Sequence, residues 1–186
     1  MKPIRGVAGQ PLRWTQPTLL KREYELHAGD EVVATLRWQK TFGSLALAEA
    51  ADGTWTFKRS GFLRPKITVR VPGSETEVAV FKPAWGGEGT LRLSAGRCYQ
   101  WLNTSFWRSE WVFANEAGEP LLYFKAEFEA SAAVIFFKHA AEGRLEPRAA
   151  SIADLSLLTL LGWYLMVLMS EDSAGAAAGA VVGAGS

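Results

Sequence analysis

The chain has 186 residues, 48% hydrophobic and 21% charged, with 20 basic against 19 acidic side chains. That length and apolar content fit one domain with a substantial core, and they exclude a disordered chain, which is poor in aromatics and high in net charge. Cys98 is the single cysteine, which excludes a disulfide framework and a multi-thiolate metal site. A net charge of +1 argues against nucleic acid as a partner, since that binding draws on a strongly basic domain. The charge is unevenly spread: residues 1–70 hold 12 Lys and Arg against 6 Asp and Glu, and residues 71–186 hold 8 against 13. A basic face for an anionic partner is one reading of that asymmetry, and ordinary solvated strand faces are the other.

Taken in chain order, Met1 to Gly6 carry Lys2 and Arg5 with no apolar run behind them, and Gln10, Arg13 and Gln16 interrupt any signal-peptide core. A cytoplasmic location is expected, with residues 1–18 as an N-terminal extension. From Leu19 to Lys138 the pattern is short apolar–polar alternation. Val32, Ala34, Leu36 and Trp38 alternate with Val33, Thr35, Arg37 and Gln39, and Trp55 and Phe57, then Ile67, Val69 and Val71, alternate with Thr and Lys. Leu91 and Leu93, and Leu122, Phe124, Ala126 and Phe128, repeat the pattern. Period two in β-branched and aromatic residues predicts half-buried strands. Turn residues separate them: Ala28-Gly29-Asp30, Asp52-Gly53, Pro72-Gly73-Ser74, Ala95-Gly96 and Asn115-Glu116-Ala117-Gly118. The count is about ten to twelve strands, and such short connections require antiparallel neighbours. The glycine-rich break at residues 83–89 lacks both the G-x-x-x-x-G-K-[ST] spacing and the following helix of a phosphate-binding loop, and reads as a structural loop.

The character then changes once. Ser151-Ile152-Ala153-Asp154 reads as a capping box, and Leu155 to Met169 follows without a charge before Ser170-Glu171-Asp172. A helix over 151–170 that is apolar all round must be enclosed by protein or by lipid. As a membrane anchor, the fifteen residues Leu155–Met169 span roughly 22 Å against a hydrocarbon thickness of ~30 Å, with no Lys/Arg flank. As the filling of a β-barrel they suit the strand count, because eleven strands already enclose a central helix. The sequence therefore predicts an all-β fold with one helix: a closed antiparallel β-barrel of about twelve strands around a hydrophobic C-terminal helix. The single domain spans residues 19–172, and the Ala/Gly-rich residues 173–186 read as a flexible tail. The alternative is a tail-anchored protein, with 155–169 in the bilayer and a cytosolic β-domain.

The strand series Leu19–Lys138 followed by the helix Ser151–Ser170 resembles the tubby C-terminal-like superfamily, which includes the phospholipid scramblases and LURP-one-related proteins. The run from Asp52 to Phe62 is similar to the early hairpins of small members. The resemblance implies a twelve-stranded barrel wrapped around its C-terminal helix, and a non-enzymatic domain that binds membrane lipid or a protein partner. The scramblases' cysteine cluster and acidic calcium segment have no counterpart, since Cys98 is alone and Arg144–Ser151 holds only Glu146 as an acid.

Candidate chemistry is sparse. His27 and His139 lie at strand ends, with no G-x-S-x-G elbow and no H-x-x-x-H or C-x-x-C spacing, so neither a catalytic residue nor a metal or other cofactor is expected. Glu23/Glu25, Glu75/Glu77 and Glu127/Glu129 are i, i+2 pairs, each on one strand face; a glycosidase pair needs no more than this, but so does an outward polar face. Trp101, Phe106, Trp107 and Trp111 beside Arg108 read as core and rim packing rather than a base-stacking platform, because the surrounding charge is negative. The most suggestive group is Lys58, Arg59, Arg64 and Lys66 around a hairpin tip with Phe62 and Leu63. Cations beside apolar tip residues suit an anionic phospholipid surface; the other reading is an ordinary charged hairpin whose apolar tip folds back onto the barrel. Lys58, Arg59, Phe62, Arg64 and Lys66 are therefore the candidate lipid-binding residues of a protein held peripherally at the membrane.

Overall fold

The computed structural model describes residues 1–18, 21–40, 43–61, 63–105, 110–128 and 139–183. Twelve strands run β1 (Leu12–Thr15), β2 (Glu23–Ala28), β3 (Glu31–Trp38), β4 (Ala46–Ala50), β5 (Gly53–Ser60), β6 (Lys66–Arg70), β7 (Glu77–Pro83), β8 (Gly89–Leu93), β9 (Cys98–Asn103), β10 (Glu110–Ala114), β11 (Pro120–Phe128) and β12 (His139–Leu145). Among the described residues one α-helix, α1 (Leu155–Gly183), follows. Each strand pairs antiparallel with its neighbour in sequence, and β1 pairs with β12 to close the barrel. Among the described strands none is left as an edge for another chain to extend.

The alternation along each strand decides which side chains point inward. Leu26, Ala34, Leu36, Phe57, Ile67, Val69, Leu91 and Phe124 all lie inside at 2% exposure or less. Alternation is broken in places, as by buried Thr68 on β6 and by the fully buried run Trp111–Ala114 on β10, and two positions depart from the sequence expectation. A bulge between Leu26 and His27 shifts the register of β2 on β3, so Val33 is buried and Val32 only half-buried. Val71, expected on the inner face, falls in the turn after β6 and is exposed.

Leu155 to Leu168 are buried on every side, so the apolar helix is enclosed by the barrel. The fit is made by rings stacked on rings. Trp163 lies parallel to Trp14 at 5.3 Å with Tyr24 edge-on, and Tyr164 lies on Trp38 at 5.3 Å with Phe57 edge-on. Such pairs add about 0.5–1.5 kcal/mol each beyond area burial. The Tyr164 hydroxyl donates to the Ser44 carbonyl at 2.6 Å, and the Thr159 hydroxyl donates to the Leu155 carbonyl at 2.8 Å. Across the barrel, Gly162 leaves room for the Phe124 ring: a Cβ there would sit 2.2 Å from Phe124 Cζ. On β4 the inward residues are Ala46, Ala48 and Ala50, where larger side chains would crowd the helix.

Three boundaries differ from the sequence reading. Residues 1–18 are not an extension: β1 belongs to the barrel wall, and the 3₁₀ turn Ile4–Val7 buries Ile4 and Val7 against the domain. A four-residue strand is too short to show its period. No capping box forms, because Ser151 closes a 3₁₀ turn by donating to the Arg148 carbonyl and α1 begins at Leu155. Asp154 caps instead through its carbonyl, which accepts from the Leu158 N–H at 2.9 Å. Lastly, α1 continues to Gly183 through the stretch read as a flexible tail. Alanine extends an existing helix without a new nucleation cost.

Gly162→Ala tests the enclosure. On an exposed helix this change stabilises by up to about 1 kcal/mol; here overpacking against Phe124 reverses the sign, with an expected net loss of about 1–3 kcal/mol in urea denaturation. Adding Phe124→Leu to Gly162→Ala recovers part of that loss.

Candidate functional site

In an up-and-down barrel successive turns alternate between the two mouths, so the sequence order of turns becomes a spatial sorting. The turns after β2, β4, β6, β8 and β10 share the front mouth, where α1 begins; those after β1, β3, β5, β7 and β9 share the rear mouth, where α1 leaves. The described front turns carry Asp30, Asp52, Glu75, Glu116 and Glu119 against Arg97. The described rear turns carry Lys21, Arg22, Lys40 and Arg64 against Glu88. The turns thus differ in sign along the barrel axis, although Lys2, Arg5 and Arg148 also stand at the front mouth and Glu171 and Asp172 of α1 at the rear.

Part of the front mouth's charge is paired internally. Arg97 grips Asp154 with Nε at 2.7 Å and Nη2 at 2.9 Å, and the Tyr99 hydroxyl donates to the same carboxylate at 2.8 Å. Burial first, then that hydrogen bond, pushes the Tyr99 phenol up to about 12. Arg148 meets Glu119 at 3.0 Å, and Lys2 meets Glu31 at 2.7 Å.

At the rear mouth the predicted hairpin residues divide by strand parity. Phe57 points inward, so Lys58 points out and Arg59 turns toward the mouth. There the Arg59 Nη1 donates to Asp172 of α1 at 2.6 Å. Lys66 stands on the outer wall, 3.2 Å from Glu77. Arg64 is exposed in the turn beside Leu63, and Phe62 lies outside the described residues. The cluster expected from the sequence is thus split. Arg59 helps hold the helix end, Lys66 has an acidic partner, and Lys58 and Arg64 form no ion pair among the described residues.

The fold adds cations that the hairpin reading missed. Ile67 pairs with Phe81, which sets Lys66 and Lys82 side by side on the outer wall, and Val80 pairs with Arg92 one strand further. These side chains line an open groove of about 600 Å³ with Glu77, Thr90 and Ser94. Lys21 and Lys40 stand in rear turns. Like Lys58 and Arg64, Lys21, Lys40 and Lys82 are exposed and form no ion pair among the described residues. The available signals were the alternation Leu91-Arg92-Leu93, which points Arg92 outward, and the order of the turns, which sorts the lysines to one mouth.

The other candidates take structural positions. His27 Nε2 is 3.1 Å from Glu25 on the outer wall. Glu75 and Glu77 both lie against Arg70, at 2.5 and 3.7 Å. Trp101 and Trp111 stack inside the barrel at 5.4 Å, whereas Phe106, Trp107 and Arg108 lie outside the described residues, as does Glu129. Among the described residues no group of three His, Cys, Asp or Glu converges as metal ligands. Compared with protein-family models, with curated proteins and with solved structures, the chain finds no match.

The helix exit carries one further ion pair. Arg22 lies over the Trp38 ring at 4.5 Å, donates to the Gly43 carbonyl at 2.8 Å and meets Glu171 at 2.5 Å. Burial holds the Glu171 carboxyl above its usual range, opposed by Arg22 and reinforced by Asp172. A carboxyl raised in the folded state favours folding most below its unfolded value and loses that contribution as pH rises through the folded one. The wild type should therefore gain stability relative to Glu171→Gln on going from about pH 7 to about pH 4. Denaturant titrations of both proteins at the two pH values check this.

Proposed function

We propose that the protein is a non-enzymatic, peripheral membrane-surface protein that binds anionic phospholipid headgroups with the rear mouth of its barrel. The observation that carries this reading is the segregation of charge in the turns, with Lys21, Lys40 and Arg64, which form no ion pair among the described residues, at the rear mouth and acids at the front. A bilayer whose surface is negative attracts the first and repels the second, so binding fixes orientation as well as affinity. Such a surface is found on the cytoplasmic leaflet, in keeping with a cytoplasmic location. The non-enzymatic part of the reading is supported by carboxylates such as Glu75, Glu77 and Asp154 being engaged by arginines.

Kinship with the tubby-like superfamily, scramblases included, is part of the same proposal. It is supported by the twelve-strand count, the antiparallel closure and the central C-terminal helix. The tail-anchored alternative has less to draw on, since the apolar surface of Leu155–Leu168 is already used inside the barrel. An acidic protein would satisfy the same cations and is the competing partner.

Co-sedimentation of the full chain with phosphatidylcholine vesicles, with and without phosphatidylserine, tests the proposal. Pelleting is expected only with phosphatidylserine and is reversed by salt. The triple variant Lys40→Ser, Lys58→Ser, Arg64→Ser should lower affinity roughly a hundredfold, at about 1 kcal/mol per cation. Lys2→Ser with Arg5→Ser, on the front side, should leave binding unchanged. Equal losses in both variants, or none in either, would overturn the assignment of the rear mouth.

A further inference from the structure

The rear mouth holds a second feature that the charges do not explain. Among the described residues the most exposed large apolar side chains are Trp85 at 94% and Leu63 at 89%. Leu63 tips the turn between β5 and β6, and Trp85 tips the turn between β7 and β8. Both tips therefore project from the same mouth, two strand spacings or about 10 Å apart.

The Trp85 turn is built to hold the ring away from the barrel. Gly86 and Gly87 have φ of 81° and 91°, a region costly for other residues. The Ala84 N–H donates to the Glu88 carbonyl at 2.7 Å and closes the turn. A Cβ on Gly87 would lie 3.1 Å from Trp111 Cη2 and 3.2 Å from Met169 Sδ, so the second glycine is pressed against the barrel mouth and the emerging helix. With its base fixed this way, the turn presents the indole outward.

We propose that Trp85 and Leu63 are a pair of bilayer anchors that enter the interfacial region of an anionic membrane while Lys58, Arg64 and Lys82 engage its headgroups. This rests on the membrane reading above and deepens it, because it identifies the partner as a bilayer rather than an acidic protein. Tryptophan's amphipathic ring favours the interface between headgroup and chain. A bilayer meets both tips and the flanking cations together, whereas a protein would need two separate pockets spaced to match. Weak electrostatic attraction combined with shallow apolar insertion gives two signals, the combination that stable peripheral binding requires. The helix leaves through the same mouth, where its acids Glu171 and Asp172 are held by Arg22 and Arg59, and it carries no charged side chain from Ser173 to Gly183.

The test uses the full chain and phosphatidylcholine–phosphatidylserine vesicles with brominated acyl chains. Binding is expected to quench tryptophan fluorescence, and Trp85→Phe to abolish that quenching. The double variant Trp85→Ser, Leu63→Ser, at two exposed positions that the fold does not use, should lose roughly ten- to a hundredfold in affinity, and its residual binding should be fully reversed by salt. Vesicle binding without quenching, or a double variant that binds as the wild type does, would overturn the anchor while leaving the electrostatic reading intact. Absence of wild-type binding to these vesicles would overturn both.

Discussion

A helix with no polar face imposes the main constraint on this molecule. Leu155 to Leu168 can be stable in water only if surrounded completely, and a sheet closed on itself provides the surrounding. The consequences run outward from the helix axis. Gly162 yields its volume to Phe124, the inward residues of β4 are all alanine, and Trp163 and Tyr164 stack on Trp14 and Trp38. Charge on the helix begins only where enclosure ends. Asp154 lies just before the buried segment and is gripped by Arg97, while Glu171 and Asp172 lie just after it and are gripped by Arg22 and Arg59. These ion pairs are anchored on the barrel rims and set the depth of the helix in the barrel.

Up-and-down topology converts a linear pattern into a spatial one. Because each strand reverses direction, residues in alternate turns meet at one mouth although they are far apart in sequence. The front turns include the tight Gly29-Asp30 and Asp52-Gly53 reversals and carry most of the turn acids, whereas the rear turns carry Lys21, Lys40 and Arg64. Net charge near zero hides this polarity completely. The same sorting brings Leu63 and Trp85 to the basic mouth, so cations and exposed apolar tips share one surface while the opposite end repels a negative one.

Much of the fold was legible in the sequence because its signals are periodic or absolute. Period two in the wall and fifteen uncharged residues in the helix together left enclosure as the economical arrangement. Most turns that could be recognised, such as Ala95-Gly96 and Asn115 to Gly118, belong to the front mouth, where tight reversal demands special residues; at the rear only the loop at 83–89 and the hairpin tip at Leu63 stood out. β1 escaped notice for lack of length, and the tail's helicity because alanine and glycine pull in opposite directions. The candidate site was legible only in part. The Lys58–Lys66 hairpin stood out as a local cluster, but strand parity turns Arg59 toward Asp172, and the remaining cations join it only through closure of the barrel.

The most direct test of the whole account is hydrogen–deuterium exchange of the full chain, alone and with phosphatidylserine-containing vesicles. The account predicts that amides of Leu158 to Leu168 are the slowest in both conditions, exchanging only through global unfolding. It also predicts that vesicles slow exchange in the rear turns at residues 61–65 and 84–88 and leave the front turns at 29–30, 51–52 and 71–76 unchanged. Fast exchange within the helix in water would contradict its enclosure. Vesicle protection at the acidic mouth, or spread evenly over both, would contradict the polarity on which the functional reading depends.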